Sequence, residues 1–176
     1  MLTLYYCPGA CSMAAHVALQ ETGVRYEKKP VLVAQNEQCG EAYLGINPRG
    51  QVPALVVDGK VITESVAVLT YIGRAFPEAK LLPVDDVEQA RCVATMSWIV
   101  SQIDPLFRRA ARPERLVSDE AARPAVKEAT QGAYWAKCQE IDALVSANAW
   151  ISGPNTPSAT LTRSCTTGGD FALDCR

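Results

Sequence analysis

The stretch LTLYYCPGACS (residues 2–12) decides the fold. Its first residues, Leu2–Tyr5, favour a β-strand, and the pair Pro8-Gly9 breaks that strand. A helical pattern then runs from Ser12 to Thr22 and stops at Gly23. The sequence therefore predicts a strand, a loop that carries two cysteines, and a helix.

Further strands and a helix are predicted downstream of this unit. Val31–Val33 is a second apolar stretch and the candidate for the next strand. Val52–Val57 and Lys60–Ile62 flank Asp58-Gly59, a pair typical of a two-residue hairpin turn. Thr63–Ser65 then opens another helix with an apolar side. The order is βαβ followed by ββα.

The second half of the chain has a helical pattern only. A linker-like segment from Leu81 to Asp86 precedes it. One long helix is expected from Asp86 to about Ala110, bent near Pro105, and another from about Ser118 to Ala147. The chain thus divides into an α/β domain, an all-helical domain and an irregular tail, at residues 1–80, 86–154 and 155–176.

Composition excludes several classes of protein. The chain has 176 residues, with 17 Lys and Arg against 19 Asp and Glu, so its net charge of −2 argues against nucleic acid as a partner. No basic leader or membrane-spanning apolar run is present, and we expect a cytoplasmic protein without a membrane partner. Seven cysteines without a C-x-x-C pair indicate neither a disulfide framework nor a metal site.

Two thiols and a hydroxyl lie where the first strand gives way to the first helix. A helix N-terminus stabilises a thiolate and lowers the pKa of a cysteine, and Cys11 and Ser12 are both placed to use it. The alternative is a buried, inert Cys11 and a Ser12 that only caps the helix. The segment alone favours neither.

Two further segments could bind a peptide-like ligand. A cis bond before Pro53 would expose the backbone of Val52 to an added strand, whereas a trans proline at a strand start is the alternative. Glu64 and Ser65 at a helix start could hold an amino acid's ammonium and carboxylate, although plain helix capping is the commoner role.

The remaining candidates favour structural roles. His16, the only histidine, lies five residues beyond Cys11, so the two side chains point to different faces of one helix. A structural histidine is favoured over a Cys-His dyad. A cluster of four arginines indicates a solvated helix end, with an anion site as the less favoured alternative: Arg108, Arg109, Arg112 and Arg115.

Several short motifs follow one another along the chain: YCPGACS at residues 6–12, NPRGQVPAL at 47–55, ITESVAVLTYI at 62–72, and DPLFRR, PER and WISGP further on. Taken together, these motifs resemble the glutathione transferases, particularly the bacterial beta-class type. The resemblance spans residues 1–154 and implies a thioredoxin-like α/β domain followed by an all-α helical domain.

The resemblance also implies roles for the residues. Cys11 would lie beside the glutathione sulfur, with Ser12 and Tyr6 as hydrogen-bond donors to the thiolate. Val52, before a cis Pro53, would pair with the cysteinyl backbone. Glu64, Ser65 and Gln51 would hold the γ-glutamyl end of glutathione.

The implied activity is conjugation of glutathione, as co-substrate, to a hydrophobic electrophile for detoxification. The family is usually homodimeric, and no metal or tightly bound cofactor is implied. Two alternatives remain: thiol-disulfide exchange through Cys11, and a non-catalytic glutathione-binding protein.

The chain departs from the family pattern in the helical domain and in the tail. Asp104 stands where the family commonly has histidine, and Ser97 where asparagine is frequent, so the helical domain's part in the site is in question. An acid near anionic glutathione could weaken its binding.

The segment expected after WISGP is missing from the tail. Back-translation from Asn155, read from the third base of its codon, permits YSVCDPYALVYYGWGFRAGLP, which is similar to that segment. We hypothesise that a frameshift near Pro154 left the helical domain incomplete; a divergent tail is the alternative.

Overall fold

Four short strands form a mixed sheet in the computed structural model, which describes residues 1–147. The strands are β1 (Leu2–Tyr6), β2 (Glu27–Pro30), β3 (Ala54–Val57) and β4 (Lys60–Thr63). Their spatial order is β2-β1-β3-β4, with β1 parallel to β2 and antiparallel to β3, and with β3 antiparallel to β4. Asp58 and Gly59 both have positive φ values, which confirms the predicted hairpin turn between β3 and β4.

Two helices pack on the sheet and complete the α/β domain. They are α1 (Met13–Thr22) and α3 (Ser65–Ala75); a single-turn helix, α2 (Glu41–Leu44), lies between β2 and β3. Leu4 and Leu55 of the sheet are fully buried against Leu19 of α1 and Ile72 of α3. The buried apolar faces of both helices confirm the predicted thioredoxin-like α/β fold.

The second half of the described chain is helical, as predicted. Its helices are α4 (Asp86–Trp98), α5 (Asp104–Ala111) and α6 (Arg123–Ala147). Five residues of π-helix, Ile99–Ile103, join α4 directly to α5. This change of hydrogen-bond pattern immediately precedes Pro105, which lacks the N–H that a regular helix requires.

Side chains from three helical segments form a separate apolar cluster. Ile99 and Ile103 are buried there with Tyr134 of α6. The Phe107 ring of α5 packs against the Tyr134 ring, with centroids 5.7 Å apart. This contact joins α5 to α6 and so fixes the face that α5 turns toward the first domain.

Two predicted strand positions were wrong. The second strand is β2 (Glu27–Pro30) rather than Val31–Val33, because pairing with β1 is made by the backbone and does not need apolar side chains in an edge strand. Val31 follows that strand and is buried in a small cluster with Tyr43. The third strand starts at Ala54 rather than Val52, since Val52 and Pro53 belong to the turn before it.

The predicted tail, residues 155–176, lies outside the described residues, as does the end of the helical domain expected to reach residue 154. The frameshift hypothesis concerns the same residues. Within residues 1–147, no helix is both long enough and apolar enough to cross a bilayer.

Gly73 in α3 lets the linker that follows this helix pack closely. A Cβ at this position would lie 2.5 Å from the Cγ of Leu82, which is buried.

We expect Gly73→Ala to lower the free energy of unfolding by about 1–3 kcal/mol, since the overpacking exceeds the helix-propensity gain. Gly132→Ala in α6 is the control, because nothing lies within 4 Å of its Cβ position. It should raise stability by roughly 0.5–1 kcal/mol in denaturant titrations. Equal effects of the two changes would contradict this account.

Candidate active site

Three loops leave the sheet from one row of paired residues. Tyr5 pairs with Ala54, and Ala54 pairs with Thr63 on the other side. The chain after β1, the chain before β3 and the chain after β4 therefore emerge at the same end of the sheet. These are the three segments in which the sequence placed candidate site residues.

A cleft of about 120 Å³ lies between these loops and the helical half of the chain. Seven of the residues predicted for the site line it: Cys11, Gln51, Val52, Pro53, Glu64, Ser65 and Asp104. Four other lining residues were not predicted: Asn47, Val66, Val100 and Arg108. The first domain supplies most of the lining, and the helical half closes the cleft on one side.

Cys11 lies at the back of this cleft with its thiol directed at the cis-proline segment. Its Sγ is 3.8 Å from the carbonyl oxygen of Val52, within reach of an S–H hydrogen bond. Burial raises the pKa of the Cys11 thiol above its usual range, and the negative charge of Asp104 adds to this. The charge of Arg108 lowers the pKa by less, as do hydrogen bonds from Ser65 and the Ser12 backbone.

The expectation that a helix N-terminus lowers the pKa of Cys11 was therefore wrong. The Ser12 N–H does favour the thiolate, but the loss of hydration on burial outweighs it. The cysteine is consequently a protonated thiol at neutral pH, able to donate a weak hydrogen bond.

Ser12 and Tyr6 do not line the cleft, which corrects their expected positions. The Ser12 hydroxyl is fully buried; it accepts a hydrogen bond from the Cys7 N–H at 2.9 Å and donates to the Cys7 carbonyl at 3.2 Å. It therefore closes the cysteine loop and does not cap α1. Tyr6 stacks on His16 with ring centroids 5.0 Å apart, and burial lowers the pKa of that histidine.

Two side chains hold the segment before β3 by donating hydrogen bonds to one backbone carbonyl. The Gln51 carbonyl accepts hydrogen bonds from the Tyr43 hydroxyl and the Asn47 side-chain amide, both at 2.7 Å. Burial raises the pKa of Tyr43 to about 12, so this hydroxyl stays protonated as a donor. The Val52–Pro53 bond is cis, as considered from the sequence, and among the described residues the Val52 N–H has no acceptor.

Gly50 permits this arrangement. It has a φ of 60°, and a Cβ there would lie 3.0 Å from the Gln38 carbonyl oxygen. A side chain would be strained by the positive φ and would also press on that backbone.

Glu64 occupies an unusual backbone position at the start of α3. Its φ is 71° and its ψ 128°, a conformation that costs a residue with a side chain about 1–3 kcal/mol. Its carboxylate does not cap α3 but lies 3.5 Å from the Arg49 guanidinium, and it is 63% exposed. The first N–H groups of α3, beginning at Ser65, therefore face the cleft without a capping side chain from Glu64.

The helical half contributes an ion pair to the cleft. Asp104 and Arg108 lie one turn apart on α5, with a carboxylate oxygen 2.5 Å from a guanidinium nitrogen. The sequence predicted Arg108 at a solvated helix end. The sequence alone does not show which face of α5 turns toward the first domain, because that depends on the packing of α5 against α6. Ser97 is exposed on α4 and does not line the cleft, so the structure does not bring it together with the other predicted site residues.

Comparisons with known proteins agree with this architecture. The profile of the glutathione S-transferase N-terminal domain matches residues 1–74. The chain is 31% identical over 155 residues to the glutathione S-transferase GstA of Escherichia coli O157:H7, covering 86% of this chain and 74% of that protein. It is 39% identical over 106 residues to a zeta-class glutathione S-transferase of Euphorbia esula, covering 60% of this chain and 47% of that protein.

A solved structure shows the same fold. The chain is similar to a glutathione transferase homologue from Sulfitobacter, solved with bound glutathione, at a TM-score of 0.83 and 26% identity. The match covers 99% of this chain and 86% of that chain. The matches do not single out the beta class, which stays a prediction. The fold, the loops that form the cleft and the extent of the match to GstA together show that this chain belongs to the glutathione S-transferase family.

Proposed function

We propose that the cleft binds glutathione and that the enzyme adds its thiolate to a hydrophobic electrophile. The observation that carries this proposal is the meeting of three features in one cleft: the Cys11 thiol, the exposed backbone of Val52, and the start of α3 beside Glu64. Glutathione has a matching set of groups, with a thiol in the middle, peptide backbone around it and an α-amino acid at one end.

The backbone of Val52 would align the cysteinyl residue of glutathione. Its N–H has no acceptor among the described residues and its carbonyl faces Cys11, so an extended peptide could pair with it as an added strand. Hydrogen bonds from Tyr43 and Asn47 to the neighbouring Gln51 carbonyl keep this backbone in place. The glutathione sulfur would then lie beside the Cys11 thiol.

The γ-glutamyl end would bind at the start of α3. The Glu64 carboxylate would take the α-ammonium group, and the Ser65 hydroxyl with the first N–H groups of α3 would take the α-carboxylate. The side chain of Gln51 lines the cleft beside them and would assist. The backbone strain at Glu64 supports a binding role, because a purely structural position would favour glycine.

The thiol of Cys11 suits the role of a hydrogen-bond donor to the glutathione thiolate. Its raised pKa keeps it protonated, so it can stabilise a thiolate beside it. That thiolate attacks the electrophilic carbon, a carbon–sulfur bond forms, and the leaving group departs with its electron pair. Val66 and Val100 line the cleft and offer apolar surface to the electrophile.

Several broader expectations belong to the same proposal. On the strength of the family resemblance, we propose that the enzyme acts as a homodimer in the cytoplasm and takes part in detoxification. Glutathione serves as a co-substrate in this scheme.

Replacing Glu64 with glycine separates binding from backbone strain. We expect Glu64→Gly to raise stability by about 1 kcal/mol, because glycine tolerates the positive φ, while glutathione affinity falls at least tenfold in calorimetric titration. Lys80→Gly is the matched control, since Lys80 also has a positive φ of 51° and does not line the cleft. It should stabilise the protein without changing affinity. A Glu64→Gly variant that binds glutathione normally would refute the proposed role.

Replacing Cys11 with alanine distinguishes conjugation from thiol-disulfide exchange. Exchange needs a thiolate at Cys11, which its raised pKa disfavours, whereas conjugation needs only the thiolate of glutathione. We expect Cys11→Ala to keep measurable conjugation of a chlorodinitrobenzene, with reduced kcat/KM, and to lack exchange with a mixed disulfide. Equal loss of both activities would contradict this account and show that Cys11 serves both reactions. Wild-type protein that binds glutathione without any turnover would favour the binding-protein alternative.

A further inference from the structure

Two opposite charges on α5 face the part of the cleft where the reacting sulfur would lie. Asp104 and Arg108 both line the cleft with Cys11, and the carboxylate and guanidinium are 2.5 Å apart. The Asp104 side chain is only 17% exposed, whereas Arg108 is 57% exposed. The carboxylate is thus the less hydrated of the two charges, and solvent screens it less.

The other charges at the cleft are arranged differently. Glu64 lies across from α5 and is paired with Arg49 at 3.5 Å, and both of these side chains are more than 60% exposed. Solvent therefore screens this pair strongly. Together with the thiol of Cys11 itself, these are the titratable and charged groups of the described chain that line the cleft or pair with its lining.

An unpaired carboxylate at Asp104 would oppose the chemistry. A negative charge in a partly buried position disfavours a thiolate beside it, whether that thiolate belongs to Cys11 or to a ligand. Burial is the main cause of the raised pKa of the Cys11 thiol; of the two charges, Asp104 raises this pKa further and Arg108 lowers it. The effect of Asp104 on the reacting sulfur is therefore reduced only if a cation lies close to it.

We propose that Arg108 is a positioning residue that neutralises Asp104 beside the reacting sulfur, so that the ion pair on α5 sets how readily a thiolate forms there. For the sulfur of glutathione this rests on the proposed function. For the sulfur of Cys11 it does not, because both charges line the same cleft as that thiol.

The first experiment needs no glutathione. Iodoacetamide alkylates the Cys11 thiolate in the full chain, forming a carbon–sulfur bond and releasing iodide. Peptide mass mapping measures the alkylation rate of Cys11 as a function of pH, and the midpoint of this profile reports the pH at which half of the thiol is ionised. We expect Arg108→Gln to move the midpoint to higher pH and to slow alkylation at pH 8 by roughly tenfold. Asp104→Asn should move it to lower pH and speed alkylation, and the double variant should lie between the two.

Two further variants control this experiment. Arg109→Gln removes the same charge from an exposed position on α5 that does not line the cleft, and should leave the midpoint unchanged. Arg108→Lys keeps the positive charge and should restore most of the wild-type rate. The proposal would be overturned if the alkylation midpoint moved in the same direction in Arg108→Gln and Asp104→Asn, or moved in neither variant.

The second experiment measures conjugation with the same variants. The acidic limb of the kcat/KM profile should move in the same directions as the alkylation midpoints, since both report a thiolate in one electrostatic environment. If the acidic limbs of the kcat/KM profiles stay in place while the Cys11 alkylation midpoints move, the ion pair does not act on the sulfur of glutathione, and that part of the proposal is overturned. Absence of turnover in wild type would count against the proposed function alone, because the alkylation result stands without it.

Discussion

The carbonyl group of Gln51 accepts two hydrogen bonds, and the geometry of the cleft depends on them. The donors are the buried Tyr43 hydroxyl and the Asn47 amide. They hold the chain just before the cis bond at Pro53, so that the backbone of Val52 is presented to the cleft and to the Cys11 thiol. Because one carbonyl anchors the segment from two sides, the backbone can remain available to a ligand without collapsing onto the sheet.

The loss of hydration on burial affects the protonation state of Cys11 more than the nearby helix N-terminus does. Cys11 lies just before α1, where N–H groups favour a thiolate, yet its burial raises the pKa of the thiol. A protonated donor is compatible with conjugation, in which glutathione supplies the nucleophile. It is less compatible with disulfide exchange, in which the cysteine itself must attack.

The helical half contributes charge to the site as well as shape. Packing of α6 against Phe107 orients α5, and this orientation places Asp104 and Arg108 at the cleft. An acid in this position is tolerable when a cation one helical turn away neutralises it. The electrostatics of the first domain's cysteine therefore depend on a contact made within the second half of the chain.

Much of the fold and part of the site follow from the sequence alone. The β1 loop with Cys11, the turn at Pro53 and the helix start at Glu64 are local patterns, and short-range hydrogen bonding and side-chain periodicity are enough to predict them. The position of β2 was not predictable in this way, because backbone pairing with β1 defines it. The cleft itself needed the sheet register, which aligns Tyr5 with Ala54 across antiparallel strands.

Tertiary structure decided which of those residues reach the cleft and in what state. Ser12 turned inward to close the Cys7 loop, Tyr6 stacked on His16, and Arg108 joined the site from a helix far along the chain. A sequence pattern specifies local conformation, but the pKa of a thiol depends on burial and on charges brought close by packing. Those quantities are set by distances between segments remote in sequence, and only the folded chain determines them.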